Sequence, residues 1–252
     1  RQLLDQMESI SPCPNSQNIL LEKAYRLLNS KELQHAMNLT QESDKTRERY
    51  GFFEAPVIKS NGVIQGKVKE VPFAWQMRGQ NLLMARRLVE AGVPFVNVND
   101  FRQQGQNWDA HFKCFNQHKS FLLPQADQGL SALIEDLDER GMLDETLVVA
   151  MGEFGRTPRI GRVVMNAATD ASGRDHWPGA YSVLVAGGKT RRGTVYGASD
   201  NHAAYVVDQP VSPPDLHATI MASLRISPNA RFTDTRGHSH RVSDGVPVTG
   251  LF

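Results

Sequence analysis

Two short apolar runs, Leu147 to Met151 and Tyr181 to Ala186, are separated by a long polar segment, and that arrangement limits the chain to few kinds of fold. Apolar runs of this length, the second closed by Gly187 and Gly188, fit strands buried on both faces of a sheet. Between them lie Glu153 just after the first run, then Arg156, Arg159 and Arg162, then Arg174-Asp175-His176 ahead of the second. Open α/β sheets bind ligands at their strand ends, so this stretch reads as an active-site segment.

The flanking sequence extends that reading. Residues 1–50 carry helical apolar spacing: Leu3, Leu4 and Met7 before a Pro12-Cys13-Pro14 break, and Ile19, Leu20, Ala24, Leu27 and Leu28 after it. They are expected as peripheral helices, followed by an irregular loop over 51–74 rich in glycine and proline. From Gly79, the residues Leu82, Leu83, Ala85, Leu88 and Val89 mark one helix face, and Ala91-Gly92 ends it. Val93 to Val98 then reads as a buried strand. Helix, glycine, strand is the second half of a crossover unit, which implies a mostly parallel sheet. A second long helix, interrupted or bent near Pro124, turns Leu130, Leu133, Ile134 and Leu137 inward and leads into the Leu147 strand. Ser212 or Asp215 caps a last helix, with Pro213 and Pro214 in its first turn.

Composition excludes several classes of function. A hydrophobic content of 40% is enough for a packed core. A net charge of +1 supplies no field to attract nucleic acid or an anionic membrane. No apolar run approaches the ~20 residues of a membrane span. Cys13 and Cys114 define neither a disulfide framework nor a metal knuckle.

Four residues stand out as candidate metal ligands. Asp109 and His111, two apart in a loop, put both side chains on one side when extended; equally, they read as a helix-capping aspartate beside a surface histidine. Glu153 is a ligand, a general base or an ion-pair partner of Arg156. His176, with Asp175 beside it as a supporting carboxylate, is a ligand or part of a solvated turn. Together these carboxylates and imidazoles, with no cysteine, suit Zn²⁺, Mn²⁺ or a similar divalent ion. Guanidinium forks match tetrahedral anions, and Arg156, fixed within Gly-Glu-Phe-Gly-Arg-Thr-Pro, is the foremost of the arginines. His238 and His240 repeat the two-apart spacing near the C-terminus, but no strand is expected before them.

Several of these stretches carry a resemblance. GQNLLMARRLVEAGVPFVNV (79–98), WDAH (108–111), DLDERGMLDETLVVAMGEFGRTPR (136–159), GRDHWPGAYSVLVAGG (173–188) and VSPPDLHATI (211–220) are similar to the bacterial family called domain of unknown function 1501. That family is regarded as sulfatase-like, in the alkaline phosphatase superfamily. The resemblance implies a three-layer α/β/α sandwich, its mostly parallel sheet carrying at least one antiparallel strand, in one domain over 1–252 that lacks its N-terminal part. It also implies a site for divalent metal (Zn, Mn or Ca) built from Asp109, His111, Glu153 and His176. Here Glu153 stands where the superfamily more often has aspartate. Arg156 and Asp175 take the catalytic roles in this picture.

The function expected is therefore metal-dependent hydrolysis of sulfate or phosphate esters, acting on an anionic ester or a sulfated or phosphorylated carbohydrate. The alternative is the same fold kept as a non-catalytic binding module for carbohydrate or protein. The resemblance further implies a periplasmic or secreted protein. One geometric expectation follows from chain direction. His176 precedes its strand whereas Glu153 follows one, so a shared site requires the Tyr181 strand to run antiparallel to the Leu147 strand.

Overall fold

A computed structural model of the chain describes residues 25, 29–51, 56–58, 64–67, 78–99, 108–109, 114–161 and 172–252. Its core is helical. Helix α1 (Lys31–Met37) begins where the Ser30 hydroxyl accepts the Leu33 N–H, and α2 (Asp44–Tyr50) begins the same way at Ser43 and Thr46. Strands β1 (Pro56–Ile58) and β2 (Ile64–Lys67) form an antiparallel pair within the segment read as irregular loop. Helix α3 (Arg78–Glu90) ends at Gly92, whose φ of 87° is the left-handed cap the sequence anticipates. Helix α4 (Cys114–Gln117) runs through a π-helical stretch, His118–Leu122, into α5 (Leu123–Glu139). Pro124 has no N–H to donate to the preceding turn, and the irregularity expected near it is the passage from the π-helical stretch into the first turn of α5.

Helix α3 packs along α5, with α1 and α2 against them. Tyr50, Leu83, Ala132, Leu133, Leu137 and Leu143 form the buried cluster between these helices. Each such leucine contributes about 1.5–3 kcal/mol by leaving water. Beside them runs a buried charge network. Arg86, only 1% exposed, touches Glu42 at 2.7 Å, Glu90 at 2.6 Å and Asp136 at 2.9 Å. Tyr50 Oη donates to Asp136 Oδ2 at 2.8 Å, and Arg140 Nε donates to Asp136 Oδ1 at 2.7 Å. Arg87 also meets Glu42 and donates to the carbonyls of Ala36 and His35.

The expected mostly parallel α/β/α sandwich is not the observed fold. Every strand pair among the described residues is antiparallel and two-stranded: β1 with β2, β3 (Leu147–Ala150) with β6 (Leu184–Gly187), β4 (Gly155–Arg156) with β5 (His176–Trp177), β7 (Ala198–Ser199) with β8 (Val206–Asp208), and β9 (Arg231–Thr233) with β10 (Ser239–Arg241). The chain is mixed α/β, with six α-helices among the described residues, the last being α6 (Pro213–Ser223). Residues 93–98 form no strand, and Phe95 is 59% exposed. Pro94 removes a ladder donor from the middle of that run, and no described segment pairs with it. With no strand there, the crossover argument for a parallel sheet falls. Nor are the two organising runs buried on both faces: β3 is only half-buried, and Leu184 at the start of β6 is 45% exposed. Their pairing is nonetheless antiparallel, Leu147 opposite Gly187 and Ala150 opposite Leu184, as the position of His176 requires. No helix among the described residues is long and apolar enough to cross a membrane.

Candidate functional site

The segment after β3 folds back at once. Gly155 and Arg156 pair with Trp177 and His176, and the pairing continues outward where Thr157 N–H donates to the Asp175 carbonyl at 2.9 Å and Gly161 N–H to Gly173 at 3.1 Å. The two motifs that dominate the sequence, Gly-Glu-Phe-Gly-Arg-Thr-Pro and Gly-Arg-Asp-His-Trp, are thus laced together. Arg174 strengthens the lacing by donating from Nε to the Thr157 carbonyl at 2.6 Å and from Nη2 to that of Arg156 at 3.4 Å. Gly155 is required by space: a Cβ there would stand 2.1 Å from the Ala180 carbonyl oxygen. Trp177 anchors the far side, its Nε1 donating to Ala204 O at 2.6 Å and its ring edge-on to Tyr205.

This lacing brings Arg156 and His176 to Asp109. One carboxylate oxygen, Oδ1, accepts from Arg156 Nη2 at 2.7 Å and lies 3.0 Å from His176 Nε2. The Phe154 ring covers the imidazole with centroids 4.4 Å apart. Of the other candidates, Asp175 is held by its backbone, its N–H donating to Thr157 Oγ1 at 3.2 Å. Glu153 is exposed in the bend before β4, and no hydrogen bond or ion pair joins it to the described residues. His111 and Arg162 lie outside the described residues, and Arg159 is exposed.

Beside the Asp109 contact is a cleft of 290 Å³ lined by Trp108, Cys114, Phe115, His118, Lys119, Leu123, Arg156 and Arg174. Three permanent cations face it, and among the described residues no carboxylate lines it. Helix α4 and the π-helical stretch supply its other wall, through Cys114, Phe115, His118 and Lys119. The Trp108 and His118 rings meet edge-on at 5.6 Å. His118 Nδ1 lies 2.7 Å from the Cys114 carbonyl, which assigns the proton to that nitrogen, and 3.6 Å from Cys114 Sγ. Burial pushes the Cys114 thiol above its ordinary range, outweighing the charges of Arg174 and Arg156 that pull it down. Cys114 is therefore a thiol lining the wall and not an activated thiolate.

Sequence alone gives no role to Lys119, Trp108 or Arg174, although Arg174 falls within the stretch read as the active-site segment. A signal existed for two of them, since Trp108 directly precedes Asp109 and Arg174 precedes Asp175-His176. Lys119, on a helix whose register shifts, offered none.

The fold and site define a mixed α/β chain whose laced strand pair and irregular helix enclose a cation-lined cleft. The chain matches the family model described as Protein of unknown function (DUF1501) over residues 9–252, and it belongs to that family. No curated protein and no solved structure matches it.

Proposed function

We propose that this chain binds a ligand bearing a sulfate or phosphate group, such as an anionic ester or a sulfated or phosphorylated carbohydrate, in the cleft between Trp108 and Arg174. The observation that carries the reading is the lining: Lys119, Arg156 and Arg174 face one space, and no carboxylate among the described residues lines it with them. Asp109 offsets one of these charges through Arg156. Arg174 and Lys119 form no ion pair among the described residues, so two positive charges remain for an anion. Trp108 and Phe115 add apolar faces suited to a sugar ring or aryl group next to the charged head.

Titration of the purified chain with inorganic phosphate, sulfate and a p-nitrophenyl ester of each, followed by calorimetry, tests this. Arg174→Ala and Lys119→Gln are each expected to weaken binding at least about fivefold, as loss of one charge-assisted contact does. Absence of saturable binding, or binding untouched by both changes, overturns it.

A second reading keeps hydrolysis, and the contact between Asp109 and His176 favours it. Two atoms bound to one zinc at about 2.0 Å in a tetrahedron stand about 3.3 Å apart, close to the 3.0 Å between Asp109 Oδ1 and His176 Nε2. Yet Arg156 occupies the same oxygen, and among the described residues Glu153 does not complete a group of three ligands with them. The described pair alone does not fit a resident divalent ion, and no catalytic step is routed through one. Turnover of the two aryl esters with added Zn²⁺, Mn²⁺ or Ca²⁺ that is lost in His176→Ala would establish hydrolysis. Binding without turnover under all three ions would leave the binding module.

A further inference from the structure

Residues 229–243 form a hairpin remote in sequence from the cleft, and its tip is built around one aspartate. Strands β9 and β10 pair in register, Thr233 opposite Ser239 and Arg231 opposite Arg241. At the turn, Asp234 N–H donates to the His238 carbonyl at 2.9 Å, and Gly237, with φ of 86°, carries the chain round. The Asp234 carboxylate is divided between two tasks. Its Oδ1 accepts the backbone N–H groups of Arg236 at 2.9 Å and His238 at 2.8 Å, an arrangement that fixes the plane of the group. Its Oδ2 faces two imidazoles, His238 Nδ1 at 3.3 Å and His240 Nε2 at 2.9 Å.

We propose that Asp234, His238 and His240 form a divalent transition-metal site, separate from the cleft. The three donor atoms lie within 4.8 Å of one another, and both imidazole nitrogens converge on a single carboxylate oxygen. Ligands on one ion at bond lengths of about 2.0–2.1 Å stand about 2.8–3.4 Å apart in octahedral or tetrahedral geometry, and both contacts to Oδ2, at 3.3 and 2.9 Å, fall in that range. A small rotation of either exposed ring closes the remaining separation. The supporting bonds are present as well: Oδ1 is held by two amides, and the His240 ring packs on Phe232 at 5.5 Å. The base of the hairpin is anchored by Val242 N–H to Ala230 O at 2.8 Å and by Ser243 Oγ to the Pro214 carbonyl at 3.0 Å. Two imidazoles and one carboxylate select Zn²⁺, Ni²⁺, Co²⁺ or Cu²⁺ over Ca²⁺ or Mg²⁺, which prefer all-oxygen shells. Three protein ligands at an exposed tip leave further positions for water.

Calorimetric titration of the full chain with Zn²⁺, and visible spectra with Co²⁺, test the site. His238→Ala and His240→Ala are each expected to weaken Zn²⁺ binding at least tenfold and to return the Co²⁺ spectrum toward that of the aqueous ion. Asp234→Asn retains an acceptor for the turn amides, so its expected loss of metal affinity is a ligand effect and not unfolding, with far-UV circular dichroism as the check. His176→Ala should leave this binding intact, which separates it from any metal at the cleft. Zn²⁺ affinity unchanged in both His238→Ala and His240→Ala, or a Co²⁺ spectrum identical to the aqueous ion, overturns the proposal.

Discussion

Arg156 and Asp109, 47 positions apart, meet at 2.7 Å, and this contact joins the loop carrying Trp108 to the laced strands β4 and β5. The pair is partly exposed, so its direct contribution to stability is small, about 1 kcal/mol or less. Its larger effect is on the charge of the cleft.

Asp109→Asn tests the charge balance of the cleft. Asparagine keeps an oxygen to accept from Arg156 but removes a negative charge that opposes a bound anion. A like charge about 6 Å from an anion costs on the order of 0.7 kcal/mol even at the dielectric of water. Phosphate or sulfate affinity should therefore rise about threefold, as read by calorimetry. A fall of tenfold instead would mean that the charge of Asp109 is needed to position Arg156.

How much of this was legible varies by element, and the reasons are physical. Helices α3, α5 and α6 follow from apolar spacing and caps, and the Gly92 stop lies where the sequence puts it. The strand expected over 93–98 does not form because an apolar run does not declare whether it has a partner, and Pro94 removes a ladder donor from its middle. The Arg86 and Asp136 network was illegible: charges spaced four apart, as in Arg86–Glu90 and Asp136–Arg140, read as solvated helix faces and give no sign of burial. At the site, Asp109, Arg156 and His176 were named and do come together, whereas Glu153 does not join them. The β9–β10 hairpin was overlooked because Arg-Phe-Thr and Ser-His-Arg carry little hydrophobic signal. Its turn was marked all the same by Asp234 and Gly237.

The buried network predicts a large stability effect from one residue. Arg86→Met removes the cation between Glu42, Glu90 and Asp136. Breaking a buried ion pair costs about 3–5 kcal/mol, and Arg87 and Arg140 remain as partners, so a loss near 3 kcal/mol is expected in urea denaturation. A loss under 1 kcal/mol would show that the network is solvated in solution.

The same network sets a pH dependence. Burial raises the carboxyls of Asp136 and Glu42, but bonds from Arg140 and Tyr50 to the first, and from Arg87 and Arg86 to the second, outweigh it and leave both below their ordinary values. A depressed folded value means the unfolded chain takes up protons first. The stabilisation is thus complete above the ordinary values of 3.8 and 4.5 and is lost as pH falls below them through the folded values. Thermal melts between pH 7 and 3 should show a steep loss at the acid end, and Asp136→Asn should flatten it. An equal slope in that variant would assign the loss to other carboxylates.

Two glycines on either side of Phe154 give the sharpest test of how the site is built. Gly152 and Gly155 both lie between β3 and the cleft, and sequence alone does not rank them. Around Gly152 the nearest atom to an added Cβ is the Phe154 carbonyl oxygen at 3.7 Å, which is ordinary contact. Around Gly155 the Ala180 carbonyl oxygen would be 2.1 Å away and that of Trp177 3.0 Å away, both backbone atoms that cannot rotate aside. Gly155→Ala must therefore push β4 from β5, and with it Arg156 from Asp109 and Arg174 from Thr157. Overpacking of this kind costs about 1–3 kcal/mol, and anion affinity should fall at least tenfold because two cleft cations lose their supports. Gly152→Ala should change stability by less than about 1 kcal/mol and leave anion affinity alone. If both variants bind phosphate like the parent chain, the lacing of β4 to β5 does not position the cations of the cleft.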